Sequence, residues 1–191
     1  MEFNNFVVSI VEGKETKDGY VELPHKTRYT LRLGNRTNGR CDAHVSIDGK
    51  LIGIWRIEAN DGIRLERPVH DTGHFTFYAL DSAEAKRAGL QLNDQLGLVS
   101  VTFVPEKVKV VRRDSISAED TLDLPAFLRR RVGGTGLSGH SNQTFTNAKD
   151  IVLDEEAKVT IHLRLVEADD TTPRPLKGMS LQTPVPPLPK W

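Results

Sequence analysis

Apolar and polar residues alternate with a period of two in a series of short segments along this chain. Residues 28–33 set Tyr29, Leu31 and Leu33 on one face and Arg28, Thr30 and Arg32 on the other, the pattern of a half-buried strand. Residues 41–47 repeat it, with Cys41, Ala43, Val45 and Ile47 against Asp42, His44 and Ser46. Asp48-Gly49 follows, a pair suited to the positive φ angles of a two-residue hairpin turn. The return segment, residues 51–57, is apolar on both faces: Leu51, Trp55 and Ile57 on one, Ile52 and Ile54 on the other. That predicts a strand covered on both sides.

Further strands are predicted over residues 6–11, 20–23, 63–66, 75–78, 98–104, 107–111 and 159–166. The last sets Val159, Ile161, Leu163 and Leu165 against Thr160, His162 and Arg164. Strands this short, joined by turn-rich connections and lacking crossover helices, argue for an all-β, antiparallel β-sandwich or barrel over a parallel α/β sheet. Residues 81–89 carry an N-cap candidate, an acidic residue three positions on, internal alanines and a terminal glycine, which predicts a short loop helix. Residues 122–132, with Pro125 near the start and three arginines near the end, predict a second helix. Residues 112–144 otherwise read as a long irregular insertion into a domain spanning 1–166. Residues 167–191, with repeated prolines and no strand pattern, read as an extended tail of polyproline character.

Composition narrows the function classes. With 38% hydrophobic and 27% charged residues the chain reads as an ordinary globular domain. No run approaches a membrane helix and no basic region precedes an apolar core at the start, so the expectation is no membrane insertion and synthesis in the cytosol. Lys plus Arg equals Asp plus Glu at 26 each, which removes the net positive field of a general nucleic-acid binder. Cys41 is the single cysteine and reads as a small buried hydrophobe.

The candidate chemistry is sparse. Gly134 to Ser141 imitates a phosphate-binding loop, but His140 stands where the loop needs a lysine, and an arginine cluster precedes it in place of a buried strand. A flexible surface loop, followed by a strand start at Gln143-Thr144-Phe145, is the better reading. His70 and His74 could hold a metal, yet Pro68 and Gly73 make a polar hairpin connection the stronger expectation. No G-x-S-x-G elbow occurs, and the paired acids Glu155-Glu156 and Asp169-Asp170 read as solvated surface. Asn35-Arg-Thr37 and Asn142-Gln-Thr144 match the glycosylation pattern without a secretion signal to give it meaning. Arg112-Arg113 and Arg129-Arg130-Arg131 could clamp phosphates or acidic side chains. With zero net charge, contact with neighbouring protein is the favoured reading. Arg129, Arg130, Arg131 and the terminal Trp191 are the candidate protein-contact residues.

Four stretches carry a resemblance: YVELPHKTRYTLRLGN at 20–35, CDAHVSIDGKLIGIWRI at 41–57, IRLERP at 63–68 with FTFYAL at 75–80, and GGTGLSGHSNQTF at 133–145. In architecture and sequence style, across roughly residues 20–166, the chain resembles the single jelly-roll capsid proteins of large icosahedral double-stranded DNA viruses, especially the penton type at fivefold vertices. The resemblance implies a jelly roll of about eight strands, no catalytic residue, no cofactor and no metal. It also implies a homopentamer contacting neighbouring capsid proteins in the virion, made in the host cytoplasm. It assigns no role to any individual residue. The alternative is a carbohydrate-recognising β-sandwich. An enzyme centred on His140 or on His70 and His74 is a third reading.

Overall fold

The computed structural model describes residues 1–107 and 131–168. The chain is all-β. One sheet has four strands in the order β1 (Glu2–Phe3), β2 (Phe6–Ile10), β5 (Leu31–Asn35), β8 (Asp61–Leu65). A second has six: β3 (Lys14–Glu15), β4 (Tyr20–Leu23), β12 (Val159–Glu167), β10 (Leu98–Pro105), β6 (Cys41–Ile47), β7 (Lys50–Ile57). A third pair joins β11 (Gly133–Ser138) to β9 (His74–Ala79).

The third pair extends the first sheet. The chain just before β5 bonds to β9, with Tyr29 N–H donating to Phe75 O at 3.0 Å and Phe77 N–H to Thr27 O at 2.9 Å. Since β8 bonds the remainder of the same segment, β8 and β9 act as one strand interrupted by residues 66–73. Those residues are therefore a break within a strand and not the hairpin connection that their turn residues predict.

Period-two alternation becomes cross-strand rows. Val45, Val101 and Ile161 stand side by side on β6, β10 and β12, as do Ala43, Phe103 and Val159. Opposite them lie Val8 and Leu33 of the first sheet. All of these but the half-buried Val159 are fully buried in one core cluster. Phe6 and Phe103 stack across the two sheets with centroids 4.5 Å apart. Cys41 sits in the same core, and burial pushes its thiol up to about 12, so it stays protonated and inert.

The hairpin forms where the sequence puts it. Ile47 pairs with Lys50, and Asp48 and Gly49 take φ of 51° and 75°. The loop helix is also present, as α1 (Ala83–Arg87), capped by Ser82, whose hydroxyl accepts from Ala85 N–H at 3.1 Å. Gly89 follows in the left-handed region.

Several expectations are corrected. The β4–β12 pair is parallel, so the six-stranded sheet is mixed. Residues 133–138, read as irregular loop, are strand β11. Gln143-Thr144-Phe145 starts no strand; Arg67 holds it instead, donating to Gln143 O at 2.9 and 2.6 Å while its guanidinium lies 4.4 Å from the Phe145 ring centroid. Arg164, assigned to the solvent face of its strand, is 2% exposed, because the chain at 94–96 folds over it and its guanidinium donates to Leu96 O and Asp94 O. The strand over 107–111, the helix over 122–132 and the tail from 169 lie outside the described residues, apart from Lys107, Arg131 and Val132. Val132 is not helical and bridges Val166.

Strand β7 is the sharpest correction. It is an edge strand with a bulge: Gly53 pairs with Val45 and Leu51 with Ser46, so Ile52 is the extra residue and the register shifts there. Leu51 then faces Ser46 and Ile54 faces His44, both on the outer side of the sheet, while Trp55 and Ile57 face the core. A one-residue slip moves a side chain to the opposite face.

Candidate functional site

The glycine-rich β11 is the centre of the most distinctive local structure. Its glycines lie against aromatic rings and aliphatic tips. A Cβ at Gly133 would stand 2.3 Å from the Phe77 ring, and one at Gly136 2.5 Å from the Tyr78 ring. The strand pairs with β9, which takes up alternate backbone amides, and Thr135 N–H donates to Asp48 Oδ2 at 2.8 Å. They do not form a phosphate cradle. Glycine here serves close approach.

Asp48 does more than turn the hairpin. Its second oxygen accepts Gly97 N–H, so one carboxylate ties together the β6–β7 turn, the chain entering β10 and strand β11. Burial pushes this carboxyl up to about 6, against the lowering effect of both backbone donors, Lys50 and Arg164. Thr135 is held from its other side by Tyr29, whose hydroxyl lies 2.7 Å from Thr135 Oγ1. Sequence reading missed this cluster because only the turn pair is local; its partners lie 49 and 87 positions away.

Between the edges β7 and β11 the sandwich opens into a cavity of about 380 Å³. Ile47, Lys50 and Ile52 of the β6–β7 hairpin line it together with Phe75 of β9 and Leu137 of β11, and Lys50 is exposed. Around this opening and the adjoining edge stand exposed aliphatic side chains: Leu51, Ile54 and Val69 are 60%, 49% and 36% exposed. Val69 N–H donates to Ile52 O at 3.0 Å, which fastens it beside β7. Leu51 and Ile54 border an outer sheet face whose middle is polar. There Ser100 meets His162 Nδ1 at 2.9 Å and Thr102 meets Thr160 at 2.9 Å. Burial, and then Arg164, hold His162 below the usual imidazole range, so it is neutral at pH 7.

His74 is held by Glu66 and the chain at 140, and it is not paired with the serine beside it. His74 presents Nδ1 to Glu66 at 3.7 Å and Nε2 to the His140 carbonyl at 3.1 Å, while Ser141 donates to the same Glu66 oxygen at 2.9 Å. Serine, glutamate and histidine are thus neighbours with the acid in the middle. In that order the imidazole cannot take the serine proton, and the cluster acts as a clamp on the chain at 141. His70 and the His140 side chain are exposed. Among the described residues no group of three or more His, Cys, Asp or Glu could hold a metal ion. The exposed large hydrophobics among the described residues are all aliphatic, so a carbohydrate-stacking platform is not found there.

Of the candidate contact residues, Arg131 is described: its side chain is 81% exposed and reaches Glu167 at 3.7 Å. Arg129, Arg130 and Trp191 lie outside the described residues. Asn35 of the first glycosylation match is fully buried and donates to the carbonyls of Gly39 and Glu58, which withdraws it from modification. No described helix is long and apolar enough to cross a membrane. No protein-family model matches the chain, and no curated protein or solved structure matches it either.

Proposed function

We propose that this protein is a structural subunit that assembles with copies of itself, in the manner of a penton-type capsid protein closing a fivefold vertex of an icosahedral virion. The observation that carries the reading is the aliphatic edge of β7. Leu51, Ile54 and Val69 stand exposed together where a sheet ends, and apolar residues grouped on one edge are the usual mark of a protein contact. A ring needs two different surfaces per subunit, one for each neighbour. The β7 edge supplies one. The exposed Arg131 beside the end of β12 is a charged contact for the other.

The bulge at Ile52 and the lysine that opens β7 discourage open-ended strand pairing. A side-chain contact that closes is favoured over a ladder that grows into fibres. The test is the mass of the protein by light scattering across a concentration series, for the natural chain and for L51E/I54K. Growth toward a closed pentamer that the double substitution abolishes, with unchanged unfolding, is the expected result. A natural chain that stays monomeric at every concentration, alone and mixed with other capsid proteins, overturns the reading.

A further inference from the structure

We infer that the cavity between β7 and β11 is a binding site for a small amphipathic carboxylate, its alkyl chain lying between Ile52 and Leu137 and its head group at Lys50. The volume of about 380 Å³ falls within the roughly 300–1,000 Å³ range of small-molecule sites. The walls are aliphatic apart from the Phe75 ring, which suits an alkyl chain. Polar contacts are few. Thr135 lines the cavity, but its hydroxyl is engaged by Tyr29 and its N–H by Asp48, so it has little to offer a sugar or a nucleotide.

Lys50 is the single charged residue in the lining, and this sets the charge of the ligand. Its ammonium makes no ion pair among the described residues; the Asp48 carboxylate feels its charge but is bound by the backbone N–H groups of Gly97 and Thr135. One exposed cation in an otherwise uncharged, largely apolar lining favours a monoanion. A phosphate or a dianion would need further donors that the walls lack. The inference is independent of self-assembly: the cavity is built within one chain.

The measurement is titration of the full chain with octanoate, octan-1-ol and octylamine, followed by calorimetry and by the methyl NMR signals of Ile47, Ile52 and Leu137. Octanoate is expected to bind about tenfold more tightly than octylamine, a difference of about 1.4 kcal/mol. In K50M, which keeps an apolar stem of similar length, octanoate should fall about tenfold while octan-1-ol is unchanged. L137W, at a partly exposed position, should fill the cleft and remove binding of all three without unfolding the protein. Octylamine binding as tightly as octanoate, absence of saturable shifts at these methyls, or an unaffected octanoate affinity in K50M would each overturn the inference.

Discussion

Asp48 Oδ2 accepts the backbone N–H of Thr135 at 2.8 Å, joining the turn of one sheet's edge hairpin to the edge strand of the other. A buried carboxylate thus pins the two edges that frame the cavity.

That position makes the clamp sensitive to pH. The folded carboxyl lies at about 6 and its ordinary value is 3.8. Between those values the folded chain binds more protons than the unfolded one. The contribution of Asp48 therefore falls as pH rises from about 4 to about 6 and stays at its lower level above that. In D48N this drop is absent. Relative to the variant, the natural protein should lose about 1–3 kcal/mol between pH 4 and pH 7 in urea unfolding. D48N is less stable at pH 4, where the natural carboxyl is protonated and keeps an oxygen for each backbone donor. An identical pH dependence in both proteins would sink the assignment.

The glycines of β11 respond unequally to a methyl group. At Gly133 the added Cβ meets the Phe77 ring and, at 2.7 Å, the Tyr78 carbonyl, neither of which can move. At Gly134 it meets the tip of Leu96 at 2.5 Å, which can swing aside. G133A should cost about 2–3 kcal/mol and G134A about 1 kcal/mol or less in denaturant unfolding. Equal costs would mean that the strand does not pack against β9 in this register.

Asn35 is the buried polar hub at the end of β5. Its amide donates to Gly39 O at 2.8 Å and Glu58 O at 3.1 Å, and its oxygen accepts from Thr37 N–H at 3.0 Å. N35A strands these groups in a dry environment and should destabilise by about 2–3 kcal/mol. N35D should do at least as much damage, because a carboxylate would face two carbonyls; a neutral N35D by thermal melting contradicts the hydrogen-bond assignment.

Trp55 packs edge-on against Phe145, centroids 5.7 Å apart, and would collide with any side chain at Gly53. W55A should cost about 3–5 kcal/mol and F145A less, since Phe145 is half-buried. An unchanged melting curve for W55A would remove the ring from the core.

The hairpin over residues 41–57 shows how much of the fold is legible locally. Alternation names Cys41, Ala43, Val45 and Ile47 as core, and Asp48-Gly49 names the turn, because both signals depend on neighbours in the chain. The same reading fails further along, at Leu51, which a bulge turns to the outer face, and at Ile54, whose face is read correctly but which stands uncovered at an edge. Strand order is not written in periodicity.

The glycine-rich stretch fails for a related reason. Strand patterns are read from side chains, and Gly133, Gly134 and Gly136 have none; what makes β11 a strand is the pair of rings, Phe77 and Tyr78, on its partner. For the candidate site, the sequence offered the arginine cluster and the histidines. The structure describes Arg131 alone of the first and turns His74 toward Glu66.

The sequence by itself determined an all-β chain, most of its strands, the β6–β7 turn, the loop helix and much of the core, since each rests on side-chain period or on backbone preferences of adjacent residues. Only the tertiary structure decided the parallel β4–β12 pair, the uncovered edge at β7, the Asp48 clamp and the cavity at Lys50. Each of these joins residues far apart in the chain, and such pairings are set by which surfaces can be buried together once the strands have formed.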